Sequence, residues 1–197
     1  MTTGYQIKEQ DKLHFVTLQV VEWVDIFSRE RYRKIIVENL KYCIENKGLE
    51  IYTWVIMSNH IHLLVKSTAD NLSGTIRDFK SYTSKLILAE NQEINESRKE
   101  WMLKLFEAAA IKHKRNTNYQ FWTHDNYSEY VFSNKFMEQK LEYIHYNPVR
   151  AGIVDKPEAY KYSSARDYAG EKGLIPIEKL YCNGKRINRR DALLKAT

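Results

Sequence analysis

The stretch EIYTWVIMSNHIHLLVK, residues 50–66, decides the fold. Residues 50–57 are rich in β-branched and aromatic types and read as a strand. Ser58-Asn59 is a turn signal, and 60–66 reads as a second strand. Two strands joined by so short a turn predict an antiparallel hairpin. Upstream, LHFVTLQVV at 13–21 reads as another strand. Between them, Ser28 can cap a helix whose apolar positions Tyr32, Ile35, Ile36, Leu40, Cys43 and Ile44 recur at helical spacing, with Lys47-Gly48 as its end. Downstream, 71–89 predicts the clearest helix: Leu72, Ile76, Phe79, Thr83 and Leu86 share a face, and Arg77, Lys80 and Lys85 lie off it. Residues 90–100 are polar and aperiodic and read as a loop; 101–113 read as a helix carrying Trp101, Leu105, Ala109 and Ile111; 119–122 read as a short strand. Ser133 is placed to cap a helix over 134–147, with Met137, Leu141 and Ile144 inward and Pro148 just past its end. Helices segregated on an antiparallel sheet are the expectation, an α+β domain of ferredoxin-like character.

Composition sets outer bounds. A chain of 197 residues is long enough for one domain with a real core. Its 43% hydrophobic and 28% charged residues exclude a disordered or collagen-like protein, and 7 Gly and 3 Pro exclude a low-complexity linker. The longest apolar runs, such as 54–57, fall far short of the roughly 20 residues needed to span a bilayer. The N-terminal MTTGYQIKEQDK has no apolar stretch of secretory length. Cys43 and Cys182 show no metal-type or CxxC spacing, so reduced thiols in the cytoplasm are expected. The net charge of +6 and the 14 tyrosines lean toward nucleic acid, because Lys and Arg neutralise phosphates and aromatic faces stack on bases.

Three features carry chemistry. In His60-Ile61-His62 the two imidazoles sit at i and i+2 of a strand and point to one side, where they can share a divalent ion such as Mn, Co, Ni or Zn. The plainer reading is two unrelated histidines in one strand. Tyr143 and Asn147 are i and i+4 on one helix face, near the edge of the inward stripe; a half-buried aromatic and a turn residue are the plainer readings. Basic residues gather in three places: Arg77, Lys80 and Lys85; Lys112, Lys114 and Arg115; and Lys185, Arg186, Arg189 and Arg190. Together they suggest a phosphate-binding surface rather than a merely solvated one.

The segment from Trp54 to Val65, WVIMSNHIHLLV, resembles the His-hydrophobic-His strand of the HUH-type single-tyrosine transposases. The segment from Tyr143 to Gly152, YIHYNPVRAG, is similar to the nucleophile helix of that family. Residues 76–84, Phe121-Trp122 and the YSSARDY stretch at 162–168 also fit, so the resemblance spans roughly residues 10–170. The Tyr-Ile-His-x-Asn-Pro-Val signature resembles that of the REP-associated tyrosine transposases and their relatives. Ser58 stands where relatives often have Pro, which touches only the turn before the strand. The expected organisation is a transposase domain over 1–170 and a basic extension over 171–197.

The resemblance implies a metal-dependent enzyme that nicks and joins single-stranded DNA. It implies that Tyr143 attacks the scissile phosphate, leaving a 5′-phosphotyrosine bond and a 3′-hydroxyl. His60, His62 and Asn147 would hold Mg²⁺ or Mn²⁺, a Lewis acid on the phosphate. Two imidazoles and a neutral amide leave the ion its full charge, so loose seating, completed by DNA, is expected. Arg77, Lys80, Lys85, Lys112, Lys114, Arg115 and Arg150 would contact DNA. His145, two residues beyond Tyr143, is read as structural. The expected substrate is the hairpin end of a mobile or repetitive element, met at the nucleoid. Related transposases include dimers that share active sites as well as monomers, so a homodimer is among the expectations. A histidine-nucleophile nucleotide hydrolase is a competing reading, but its third histidine position is Leu64. Replication initiators or relaxases, and a catalytically silent DNA-binding module, are the others.

Overall fold

In a computed structural model describing residues 7–93, 97–112, 118–124, 127–182 and 185–186, the predicted hairpin forms between β2 (Leu49–Ile56) and β3 (His60–Ser67). Strand β1 (His14–Gln19) pairs antiparallel with β3, and β4 (Tyr127–Tyr130) pairs antiparallel with β1. The sheet order is β2-β3-β1-β4. With α1 (Glu30–Lys47) after β1 and α2 (Leu72–Glu93) after β3, this is the ferredoxin-like βαββαβ arrangement. Helix α3 (Lys99–Lys112) is inserted before β4, and α4 (Asn134–Arg150) follows it.

Strand pairing assigns the faces. Thr17 is opposite His62 and Gln19 is opposite His60, so Phe15, Thr17, Gln19, His60, His62 and Leu64 share one face. The other face presents Val16, Leu18, Ile61, Leu63 and Val65, all buried where α1 and α2 pack on one another. Helix α4 closes the first face, with the Tyr143 ring 6.0 Å from that of Phe15.

Several boundaries differ from the sequence expectation, each for a local reason. Helix α1 starts at Glu30 with Arg29, not Ser28, at its N-cap; the Ser28 hydroxyl instead accepts from Arg98 at 3.2 Å. Helix α2 runs on to Glu93, into the predicted loop, and Ile87 rather than Leu86 is fully buried, followed one turn later by Asn91. Residues 119–122 make only the single bridge Val20–Trp122, because the chain turns away from the ladder at Val21 into a 3-10 turn. The fourth strand is instead Tyr127–Tyr130, a short edge strand with one buried residue, Ser128, and hence almost no hydrophobic alternation to betray it. Helix α4 continues through Pro148 to Arg150, because the Ala151 amide still reaches the Asn147 carbonyl at 3.0 Å and that of Ile153 reaches the Pro148 carbonyl at 2.9 Å. Ser133 is its N-cap, accepting from the Phe136 amide at 3.2 Å.

After α4 the chain returns to the β2 edge. Ser163 bridges Val55, and a short helix α5 (Ala165–Tyr168) follows. Residues 171–180 stay with the core: Ile175 and Leu180 are buried, and the Glu178 amide donates to the Ile51 carbonyl at 2.8 Å. A small hairpin of β5 (Tyr181–Cys182) and β6 (Lys185–Arg186) ends the described chain. Among the described residues, no helix is long and apolar enough to cross a membrane.

Candidate functional site

The site is assembled where β3 emerges from its turn beneath α4. His60 and His62 project from one strand face with ring centroids 4.6 Å apart. Tyr143, on the outer edge of α4, lies with its ring 5.2 Å from that of His62 and remains 40% exposed. The inward stripe of α4, Met137, Leu141 and Ile144, is buried as the periodicity predicts, and it sets this orientation. Both histidines and the tyrosine meet within one chain.

Hydrogen bonds orient both imidazoles. His60 Nδ1 lies 2.7 Å from Asn59 Oδ1, an acceptor, so Nδ1 carries the proton and Nε2 keeps a lone pair. His62 Nδ1 lies 2.8 Å from Thr17 Oγ1. His62 Nε2 is buried and has no hydrogen-bond partner among the described residues. An imidazole held through Nδ1 with its Nε2 unengaged is the arrangement that metal-ligating histidines adopt. Burial lowers His60 from an ordinary 6.5 to about 4. Burial first, then the charges of His60 and Lys140, lower His62 to about 3. Both rings are therefore neutral at physiological pH, as metal ligation requires. Among the described residues no three His, Cys, Asp or Glu side chains cluster to hold an ion. The donor chemistry fits a divalent ion on two imidazoles whose remaining protein ligand is of another type. Asn147, one turn beyond Tyr143 on α4 and half-buried, belongs to such a type.

An aromatic frame surrounds these groups. Phe15 stacks on His62 at 5.4 Å and meets Tyr143 edge-on. The Lys140 ammonium lies 4.2 Å above the Phe15 ring and pairs with Glu129, which accepts from the Tyr127 hydroxyl at 2.6 Å. The Arg150 guanidinium lies 5.5 Å from the centre of the Tyr143 ring. Beyond His60, the indole of Trp23 stands edge-on at 6.4 Å and is 62% exposed.

The other predicted cations among the described residues are engaged by protein groups or line a groove. Arg77 bonds its neighbour Asp78, Lys80 donates to the Thr123 carbonyl at 2.7 Å, and Lys112 pairs with Glu22 at 3.0 Å. Lys85 lines a groove between α1 and α2. Lys114 and Arg115 lie outside the described residues, as do Arg189 and Arg190. His145 is buried, its Nε2 2.9 Å from Ser164 Oγ, which matches a structural role. Sequence reasoning missed Thr17, Lys140 and Trp23 and took Asn59 only as a turn residue. The cross-strand register that brings Thr17 to His62 was the one signal available for any of them, and it required the pairing to be known.

An α+β sheet of ferredoxin-like order, with a His-x-His strand facing a tyrosine on a following helix, defines the HUH type of nucleic-acid enzyme fold. The family model for IS200-like transposases matches residues 9–109, and the chain belongs to that family. It is 27% identical over 126 residues to a Haemophilus influenzae protein named as a REP-associated tyrosine transposase, a match covering 63% of each chain. The chain thus spans less than two thirds of that relative's length. The fold is shared with the solved structure of a REP-associated tyrosine transposase bound to a REP hairpin, with a TM-score of 0.57 and 15% identity over 95% of this chain and 98% of that one.

Proposed function

We propose that this chain is a DNA transposase that cuts and rejoins single-stranded DNA through a covalent bond to Tyr143. The observation that carries the reading is the 5.2 Å approach of the Tyr143 ring to His62, beside two imidazoles whose outer nitrogens are unprotonated or unengaged. His60, His62 and Asn147 would hold Mg²⁺ or Mn²⁺. A bound divalent ion supplies Lewis-acid polarisation of a phosphate and offsets charge developing on its oxygens. The chain's own part would be the one that the family resemblance implies. The Tyr143 oxygen attacks phosphorus, its proton is released, the bond from phosphorus to the 3′-oxygen breaks, and that oxygen takes up a proton. A 5′-phosphotyrosine remains, which conserves the phosphodiester energy for attack by another 3′-hydroxyl. Phe15, packed on both His62 and Tyr143, holds nucleophile and ligand in fixed relation.

The proposed substrate is single-stranded DNA with a hairpin, the end of a mobile or repetitive element, met in the cytoplasm at the nucleoid. The net charge of +6 and Arg150 beside Tyr143 favour an anionic partner. The test is covalent trapping: incubation with a randomised single-stranded hairpin library and Mn²⁺, then denaturation and recovery of protein-linked DNA. The expected adduct is lost in Tyr143→Phe while DNA binding persists, and it is lost in His60→Ala with the fold intact. An adduct that survives Tyr143→Phe removes this nucleophile. Absence of any adduct with the native chain leaves the DNA-binding module as the better reading.

A further inference from the structure

Trp23 is the largest exposed aromatic next to the site, and nothing in the transposition chemistry described above uses it. Its indole is 62% exposed, well beyond the 40% of Tyr143, whereas Phe15 and His62 are buried. A solvent-facing indole costs free energy, because its apolar rings stay in water. Its backbone is also unusual. Glu22 and Trp23 both adopt left-handed conformations, with φ of 52° and 55°, in a turn without glycine. The surrounding structure holds this pair in place. The Val21 amide donates to Phe121, and Lys112 pairs with Glu22 and offsets its charge. Asn59 then links Trp23 to the metal-type site with the two ends of one amide: Oδ1 accepts from His60 Nδ1 at 2.7 Å, and Nδ2 donates to the Trp23 carbonyl at 3.3 Å. The Trp23 backbone is thereby tied to His60, and its indole stands edge-on to that imidazole at 6.4 Å.

We infer that Trp23 is a stacking platform for a base of the bound strand, in a nucleotide neighbouring the phosphate that Tyr143 attacks. This rests on the single-stranded DNA reading above. An unpaired base has two exposed π faces, and an exposed indole beside the reactive centre offers one of them a partner. Stacking there positions the strand and contributes to the choice of which phosphate is cut. Trp23 is thus a positioning residue: it acts on the base, not on the reacting atoms.

The test is a protein-DNA double-mutant cycle. The oligonucleotide is the one most enriched among covalent adducts that the native chain forms from the randomised library. Each base flanking the cut is removed in turn, leaving an abasic site. Affinities are measured for Tyr143→Phe and for Tyr143→Phe/Trp23→Ala, so that no turnover intervenes. In the Tyr143→Phe background, Trp23→Ala is expected to weaken binding by about 5- to 150-fold, the range that loss of one stacked base spans. One abasic position should cost a similar factor in Tyr143→Phe and nothing further once Trp23 is alanine, and Trp23→Phe should retain most of the affinity. Additive losses at every position, with adducts still formed by the native chain, overturn the stacking role and leave the reading of Tyr143 intact. Additivity together with a shift from dimer to monomer in Trp23→Ala assigns the indole to a second copy of the chain and also overturns it. Failure of the native chain to form any adduct overturns both readings.

Discussion

Thr17 and His62 face each other across the β1–β3 pair, with Thr17 Oγ1 2.8 Å from His62 Nδ1. The contact fixes the ring and directs its Nε2 outward from the strand. Thr17→Val keeps the shape and removes the hydroxyl. His62 then loses its orienting partner in a buried place. Such outer contacts typically hold a factor of about 10–100 in metal affinity. The expected result is a loss of that order in Mn²⁺ affinity of the DNA-bound Tyr143→Phe protein, read from unbound Mn²⁺ by electron paramagnetic resonance. Thr17→Ser should restore most of it. Equal affinity in Thr17→Val would show that Phe15 stacking alone orients the ring.

Ser164 sits at a crossing of three buried hydrogen bonds. Its hydroxyl accepts from the Trp54 amide at 3.0 Å and donates to the Trp54 carbonyl at 3.3 Å, so His145 Nε2, at 2.9 Å, is the second donor to it. Removing the hydroxyl leaves His145 and the Trp54 amide without that partner. Ser164→Ala is expected to destabilise the fold by about 1–3 kcal/mol, the cost of stranding buried polar groups. Urea unfolding measures this. Adduct formation per folded molecule should be unchanged, which separates the part played by His145 from that proposed for His60 and His62.

The two site histidines also set an acid limit on stability. Burial holds His60 at about 4 and His62 at about 3, against an ordinary 6.5. Their neutral forms are favoured in the folded state, so the unfolded chain binds protons first as pH falls. This contribution is complete above about pH 7. It is lost as pH drops from about 6.5 toward the folded values of about 4 and about 3. With chelator present, the urea midpoint should fall between pH 7.5 and pH 5, and His62→Gln should flatten part of that fall. An identical pH dependence in the variant would contradict the assignment.

Gly48 ends α1 in the left-handed conformation, φ 63°, and its amide caps the Cys43 carbonyl. A Cβ there would lie 2.6 Å from Thr68 Oγ1. Gly48→Ala therefore combines left-handed strain of about 1–2 kcal/mol with a displaced Thr68 side chain. A lower urea midpoint with unchanged DNA binding is expected. No loss of stability would mean that the turn into β2 relaxes without cost.

The hairpin of residues 50–66, the helix over Leu72–Ile87 and the Lys47-Gly48 stop were legible because each is a local pattern. Alternation, helical period and a left-handed glycine are properties of neighbouring residues. Strand β4 was not legible: four residues with one buried serine carry no such pattern, and their pairing comes from β1, more than a hundred residues away. The Trp122 segment, with the stronger apolar signal, lost the ladder because of a turn at Val21. Pro148 inside α4 was misplaced for a related reason, since carbonyl acceptors on both sides of it close the last turn.

Within the site, His60 and His62 could be paired by alternation alone, and Tyr143 and Asn147 by helical period alone. Those choices need only the geometry of one element. The approach of α4 to β3 brings Tyr143 to His62 in the same chain, and the β1–β3 register brings Thr17 to Nδ1. The two bonds of Asn59 bind Trp23 to His60. Each of these depends on where separate elements pack. Sequence periodicity states which way a side chain faces along its own element; which neighbour it meets is decided by burial and hydrogen bonding between elements far apart in the chain.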